Sequence, residues 1–262
     1  MKRILLTGGA GALGRQFLRL CPEGWRLRVM SRRARPAKIP ESIEWVEGDL
    51  ASGRGLESAV EAVQAIVHTA TDPRSPEAVD LQGTRRLLEK ARHVEHFIYP
   101  SIVGIDKIPF RYYRQKLAVE ELVRQSGIPW TILRATQFHS LLDFFLGAAA
   151  RLPGLMFLPA CFQFQPVDGK EMAALLARAV AGGPGGRLPD LAGPEVRRLE
   201  DLARVWLRAR GLRKLLVPLP LPGAVARSFR RGDNTLPLVS GPGPTWEQWL
   251  ALHGSPLRSV IQ

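Results

Sequence analysis

The chain has 262 residues, of which 45% are hydrophobic and 23% charged, and its 37 Lys plus Arg against 24 Asp plus Glu leave a formal net charge of +13. These proportions suit a globular protein of one domain, or of one domain with an appended lobe, and exclude a disordered, collagenous or disulfide-scaffold chain. Most of the positive charge comes from 30 arginines dispersed among acids, so a diffuse basic surface explains it better than a dedicated polyanion-binding arm, which would appear as a block.

Lys2-Arg3 followed by Ile4 to Gly14 imitates a secretion signal, but the glycines at 8, 9, 11 and 14 and the abrupt Arg15 favour a strand, Arg3 to Thr7, and a glycine turn. A helix is predicted from about Ala12 to Leu20. Strands follow at Arg26–Met30, Ile43–Val46 and Ala65–His68, with Leu56, Val60 and Val63 at helical spacing between the last two. Glu77 to Arg92 reads as a helix burying Val79, Leu87, Leu88 and Ala91. His96–Pro100 is a strand, Tyr112–Gln125 a helix capped by Ser126-Gly127, and Trp130–Leu133 a sixth strand. Alternating elements of this kind predict an α/β fold with a doubly wound, mostly parallel Rossmann sheet.

Beyond residue 140 the regularity fades. Helices are predicted near Leu141–Ala150, Lys170–Val180 and Leu199–Arg210, with loops at Gly182–Gly186 and Pro218–Gly223. The expected division is a dinucleotide-binding core over 1–140 and a smaller C-terminal substrate lobe, without its own sheet, over 141–262. The apolar run Phe138–Phe162 is interrupted by Asp143, Arg151, Pro153 and Pro159, leaving no bilayer-crossing span of about 20 residues. Cys21 and Cys161 lie far apart with no metal-ligand spacing, which suggests a reducing cytoplasm and no metal.

Thr7-Gly8-Gly9-Ala10-Gly11-Ala12-Leu13-Gly14 ends a strand and opens a helix, where glycines let a pyrophosphate approach backbone N–H groups. The end of the second strand, Met30-Ser31-Arg32-Arg33, holds no acid for a ribose 2′-hydroxyl. Its guanidinium groups instead suit a 2′-phosphate, so NADP(H) is preferred over NAD(H), with Arg32 first and Ser31 and Arg33 supporting it.

Tyr112 and Lys116 share a helix face at i, i+4, and Ser101 precedes them at a strand's carboxyl end. A phenol becomes a usable acid/base near neutrality if a cation stabilises its phenolate. Lys116 is the candidate cation and also a ribose ligand, Ser101 would polarise a substrate carbonyl, and Tyr113 competes with Tyr112 as proton donor.

Through Thr7-Gly8-x-x-Gly11-x-x-Gly14, Gly48-Asp49-Leu50, Ser101-Ile102-Val103-Gly104, Tyr112-Tyr113-x-x-Lys116 and Trp130-Thr131-Ile132-Leu133-Arg134, residues 1 to 180 resemble the NmrA-like atypical short-chain dehydrogenases/reductases, a group with quinone reductase-like and azoreductase-like members. The resemblance implies adenine contact at Asp49 and Leu50, adenosine contact along His68-Thr69-Ala70, and a nicotinamide border at Ala135–Phe138, including Gln137 and Phe138. Relatives often carry proline after the arginine, where this chain has Ala135-Thr136.

The function expected is hydride transfer from NADP(H) to a quinone or small carbonyl substrate. Its competitor is a non-catalytic NADP(H) redox sensor acting through a protein partner. His139 is either a ligand contact or a structural histidine. Phe144, Phe145, Phe157, Phe162 and Phe164 are either an aromatic substrate floor or, preferably, core. The basic stretch Arg197–Arg231 reads as a solvated face around the core residues Trp206 and Phe229, lacking the interleaved aromatics of a nucleic-acid groove. The partners expected are thus a small molecule, with no specific nucleic acid and no membrane; a monomer and a homodimer are both compatible.

Overall fold

A computed structural model describes residues 1–37, 39–237 and 240–253. In chain order it runs β1 (Lys2–Thr7), α1 (Ala12–Phe17), β2 (Trp25–Ser31), β3 (Glu44–Glu47), α2 (Leu56–Val60) and β4 (Ala65–His68). A π-helical turn at Glu77–Gln82 leads into α3 (Gly83–Lys90), then β5 (His96–Ile102), α4 (Arg111–Gln125), β6 (Trp130–Ala135) and α5 (His139–Ala149). The remainder is β7 (Leu155–Leu158), β8 (Gln163–Phe164), α6 (Gly169–Gly182), β9 (Gly186–Arg187), β10 (Arg197–Arg198), α7 (Leu199–Ala209), β11 (Leu215–Pro218), α8 (Ala224–Arg231) and α9 (Trp246–His253).

The chain forms two compact units. Unit 1 comprises residues 1–102, 110–134 and 172–190 and contains a seven-stranded parallel sheet in the order β3-β2-β1-β4-β5-β6-β9. The order reverses between β1 and β4, the switch point at which such sheets bind ligands beyond their carboxyl ends. Ile4, Leu5 and Leu6 are fully buried, as are Ala65, Ile66 and Val67 on the neighbouring strand. Near-continuous apolar runs of this kind mark strands covered on both faces. One core cluster packs Leu56, Val60, Leu87 and Val119 against the sheet residues Leu5, Ile66, Phe97 and Ile132.

Arg28 departs from the apolar pattern of β2. Buried, it pairs with Glu44 at 2.8 Å and donates to the carbonyls of Ser58, Ala59 and Glu61 at the end of α2. A cation suits the negative end of a helix, so one arginine of the surplus ties β2, β3 and α2 together.

Unit 2 comprises residues 103–109, 135–171 and 191–262. A single cut at residue 140 does not describe these exchanges: 103–109 belongs with the second unit and 172–190 with the first. The expectation that the later half lacks a sheet also fails, because unit 2 holds an antiparallel β8–β10 pair and a parallel β7–β11 pair. Its core gathers Leu142, Leu146, Met156, Leu158, Leu202, Trp206 and Trp249. The predicted Gly182–Gly186 loop ends in β9, which pairs with β6 through Thr131 and Ile132. Helix α9 was not foreseen, because its Trp-rich sequence shows no plain apolar stripe, and α8, though amphipathic, was anticipated only through Phe229 read as a helix core residue. No helix among the described residues is long and apolar enough to cross a membrane.

Candidate functional site

Most of the sequence-predicted residues lie at the carboxyl ends of the unit 1 strands. At the end of β1, Gly8 adopts φ +74°, and a Cβ there would stand 2.6 Å from the Ala70 nitrogen. A Cβ on Gly14 would meet the Gly8 carbonyl oxygen at 2.3 Å. Neither position admits a side chain, because the opposing atoms are backbone. Gly11 donates to the Gly8 carbonyl at 2.9 Å and sits extended at the start of α1, so the first-turn N–H groups of Ala12 and Leu13 have no intrahelical acceptor. Gly9 packs under Val29. A side-chain-free turn with spare N–H donors fits a pyrophosphate.

The β1 and β4 ends are fastened by a hydrogen-bond chain whose proton positions follow from donor count. Thr84 Oγ1 spends its only proton on the Asp80 carbonyl, so it accepts from His68 Nε2 at 2.9 Å. His68 Nδ1 then accepts from Thr7 Oγ1 at 2.7 Å. Burial, reinforced by the Lys116 charge, pushes the His68 pKa down to about 3, consistent with this neutral tautomer. Thr69 Oγ1 donates to the Thr7 carbonyl at 2.7 Å, and the Ala70 N–H points to Thr7 Oγ1 at 3.4 Å. His68 therefore shapes the loop from inside the fold.

At the end of β2, the Arg33 N–H donates to Ser31 Oγ at 3.1 Å, and the Arg33 carbonyl accepts from Trp45 Nε1 at 2.9 Å. The Arg32 and Arg33 side chains are exposed, and neither guanidinium has an acidic partner among the described residues. Beyond β3, Asp49 uses one carboxylate oxygen on the Ala51 N–H and the other on the Ser52 hydroxyl. Leu50 is enclosed in the core, where Gly83 lies against it.

Tyr112 and Lys116 share a face of α4, but their polar atoms go to different partners. Thr71 Oγ1 donates to the Asp80 carboxylate at 2.6 Å and therefore accepts from the Tyr112 hydroxyl at 2.8 Å. The other Asp80 oxygen accepts from the Asp72 N–H at 3.0 Å, and Asp80 is buried. Burial pushes Tyr112 up to about 12, and Asp80 adds to the rise while the Thr71 bond opposes it. The Lys116 ammonium donates to the Pro100 carbonyl at 3.3 Å and lies 4.1 Å from the centre of the Tyr99 ring. Burial lowers its pKa to about 8, against the pull of Asp80 and Glu120. The expected lysine-stabilised phenolate is thus replaced by a phenol whose proton is directed toward a buried carboxylate. Tyr113, the competitor, is buried and packs edge-on to Phe110.

Ser101 is buried, and its hydroxyl has no hydrogen-bond partner within normal geometry. It helps to hold down the nearby Glu120 carboxyl, which burial alone would raise and which Arg134 chiefly lowers. Arg134 grips Glu120 through two bonds of 2.8 Å, and Arg124 adds a third at 2.8 Å. Asp80, Thr71, Thr84, Tyr99 and Glu120 were missed by sequence reasoning. The available signal was polar residues at positions of helix and strand that the periodicity assigns to the interior.

Gln137 and Phe138 belong to unit 2. Gln137 is buried, accepts from Asn234 at 3.1 Å, and leaves its amide nitrogen unpartnered. His139 is structural: its Nε2 meets the Pro244 carbonyl at 3.0 Å, its ring lies edge-on to Trp246 and Trp249, and burial lowers it to about 4. The five phenylalanines divide. Phe162 and Phe164 pack on Phe229, whereas Phe144 and Phe145 are 65% and 56% exposed. Arg197, Arg210 and Arg231 pair with Glu247, Asp143 and Asp233.

A family model described as NAD(P)H-binding matches residues 8–140. The photosystem II assembly factor Ycf39 of Cyanophora paradoxa is 34% identical over 149 residues, covering 52% of this chain and 45% of that protein. The chain thus spans about half the length of the first curated relatives it matches. A (4-alkanoyl-5-oxo-2,5-dihydrofuran-3-yl)methyl phosphate reductase of Streptomyces griseus is 27% identical over 202 residues, or 73% of this chain and 68% of that one. In fold, the chain resembles the NADPH-dependent quinone oxidoreductase of Escherichia coli solved with NADPH, with a TM-score of 0.75, 19% identity, and 95% and 99% of the two chains covered.

Proposed function

Because the chain belongs to the NAD(P)H-binding family, we propose that it is an NADP(H)-dependent oxidoreductase of the NmrA-like type, reducing a quinone or small carbonyl compound. The observation that carries the choice of cofactor is the end of β2, where Met30-Ser31-Arg32-Arg33 contains no acid for a 2′-hydroxyl and the exposed Arg32 and Arg33 have no acidic partner among the described residues. Thr7, Gly8, Gly9, Gly11, Ala12, Leu13 and Gly14 receive the pyrophosphate, and Ser31, Arg32 and Arg33 the 2′-phosphate. Asp49, Leu50, His68, Thr69 and Ala70 border the adenosine through backbone and loop shape. Gln137 and Phe138 border the nicotinamide. The division of labour proposed is a cofactor core within unit 1 and a substrate lobe within unit 2, in place of a single cut at residue 140.

The bound dinucleotide supplies the hydride. Lys116, with a pKa near 8, carries its charge at neutral pH and is placed to hold a ribose hydroxyl, while Ser101, whose hydroxyl lies near Glu120, is the contact for a substrate oxygen. Tyr112, near 12, is protonated throughout the neutral range and serves as proton donor rather than base. Asp80 and Thr71 hold its hydroxyl in place. The free Cys21 and Cys161 support a reducing, cytoplasmic setting.

Titration of NADPH and NADH against the protein and an Arg32→Ala variant tests the cofactor assignment. Loss of one charge-assisted contact predicts about 10- to 100-fold weaker NADPH binding with NADH unchanged; equal weakening of both defeats it. NADPH consumption over a quinone and aldehyde panel then tests turnover, with Tyr112→Phe slower and Lys116→Ala weaker in cofactor binding. Tight cofactor binding without turnover on any member points instead to the redox sensor.

A further inference from the structure

Unit 2 carries apolar side chains on its outside in a connected arrangement. The parallel pairing of β7 and β11 sets Leu155 beside Leu215 and Phe157 beside Val217. In β7, Met156 and Leu158 point into the core while Leu155 and Phe157 remain exposed. Leu215 is 66% exposed. The Lys214 ammonium donates to the Leu152 carbonyl at 2.6 Å, drawing the exposed Leu152 to this edge. Leu219 continues the ladder by donating to the Leu158 carbonyl at 2.8 Å, and the exposed Leu221 follows it, its carbonyl held by Arg230 at 2.9 Å. Single exposed leucines are ordinary, but a connected group on paired strands marks a surface that meets something.

Charge identifies what it meets. Between Asp201 and Asp233 the chain has eight Arg and Lys and no acid, and between Asp143 and Asp168 it has Arg151 and no acid. A groove beside Leu215 is lined by Arg204, Arg208, Arg213 and Lys214 together with Leu212 and Leu216. We propose that this face of unit 2 is a docking surface for an anionic phospholipid bilayer, with the leucines and Phe157 entering the acyl boundary and the groove cations lying among headgroup phosphates. A second copy of the chain is disfavoured, because a self-complementary interface would press Arg208, Arg213 and Lys214 against a second set of the same cations, while the nearby Glu200 is already engaged by Arg204. A nucleic acid would satisfy the cations but leave the aliphatic side chains in water. Such a contact lies on the membrane and needs no spanning helix. The proposal departs from the reading of Arg197–Arg231 as a solvated face and from the expectation of no membrane partner.

Sedimentation with vesicles tests the proposal. The protein is expected to pellet with vesicles of equal parts phosphatidylcholine and phosphatidylglycerol, to release as salt is raised, and to stay in solution with phosphatidylcholine alone. Each cation near an anionic surface contributes about fivefold in affinity, so Arg208→Ala with Arg213→Ala should bind about 25-fold more weakly at low salt. Phe157→Ser with Leu215→Ser should weaken binding at least about tenfold. Circular dichroism and thermal melting of each variant establish that it is folded. Failure to bind anionic vesicles at low salt overturns the proposal, as does full-strength binding by the folded Phe157→Ser, Leu215→Ser variant. It is equally overturned by a soluble dimer that Leu215→Ser converts to monomer.

Discussion

Unit 1 hides polar groups and unit 2 displays apolar ones. In unit 1, Asp80, His68, Lys116, Glu120 and Arg134 are all buried, and each is held by a partner whose donors and acceptors match. In unit 2, Phe144, Phe145, Leu152 and Leu215 are more than half exposed. Both departures from the usual pattern have a cost. A buried charge must be paired, and an exposed apolar cluster forgoes hydrophobic stabilisation. The first makes unit 1 sensitive to the removal of one partner and to pH, while the second makes unit 2 tolerant of outward-facing substitutions.

The largest effect should come from breaking a buried pair. Glu120→Ala leaves Arg134 buried and is expected to cost about 3–5 kcal/mol, read as a lower midpoint in urea. Retention of wild-type stability would show that the pair is not enclosed as described.

The next effect is one of pH. Lys116 has a pKa near 8 when folded and the ordinary lysine value when unfolded. Between pH 8 and 10 the unfolded chain therefore binds more protons, and stability rises with pH, by up to roughly 2–3 kcal/mol from this group. The rise should vanish in Lys116→Met. Above pH 10 Tyr112 acts oppositely: its raised pKa means the unfolded chain releases the proton first, so its contribution falls as pH approaches 12. A third titration spans both units. His68, His96 and His139 are all lowered by burial, to about 3, 4 and 4. The unfolded chain takes up protons below about pH 6.5 while the native one does not, so denaturant midpoints should fall steadily from pH 6.5 toward 4. A flat profile over that range would mean that these rings are hydrated.

The smallest effect belongs to unit 2. Phe144→Ser and Phe145→Ser should each change stability by no more than about 0.5 kcal/mol, because the side chains contribute little to the core. A loss of several kcal/mol would place them inside and erase the contrast between the units.

The two units were also unequally legible. The strands of unit 1 could be read because both faces are covered, which gives short continuous apolar runs between glycine and polar punctuation. The glycine turn and the basic end of β2 were readable because backbone geometry and charge are local properties. The Tyr112–Thr71–Asp80 connection was not, since it joins residues from α4, a loop and a π-helical turn whose proximity exists only in the fold. The outer face of unit 2 was hidden for another reason. In sequence, Leu215-Leu216-Val217 looks like any core strand, and nothing in it tells that Leu215 points outward.

The two late strand pairings bear on synthesis. The edge of the large sheet beside β6 stays bare until Gly186–Arg187 has been made, and β7 waits for its partner at Leu215–Pro218. A nascent chain therefore exposes two adhesive edges for tens of residues, and neither unit can finish before much of the other has emerged. For production in cells, the useful interventions are slower elongation across this stretch or a holdase chaperone. Dividing the gene between β7 and β9 would make both exposures permanent.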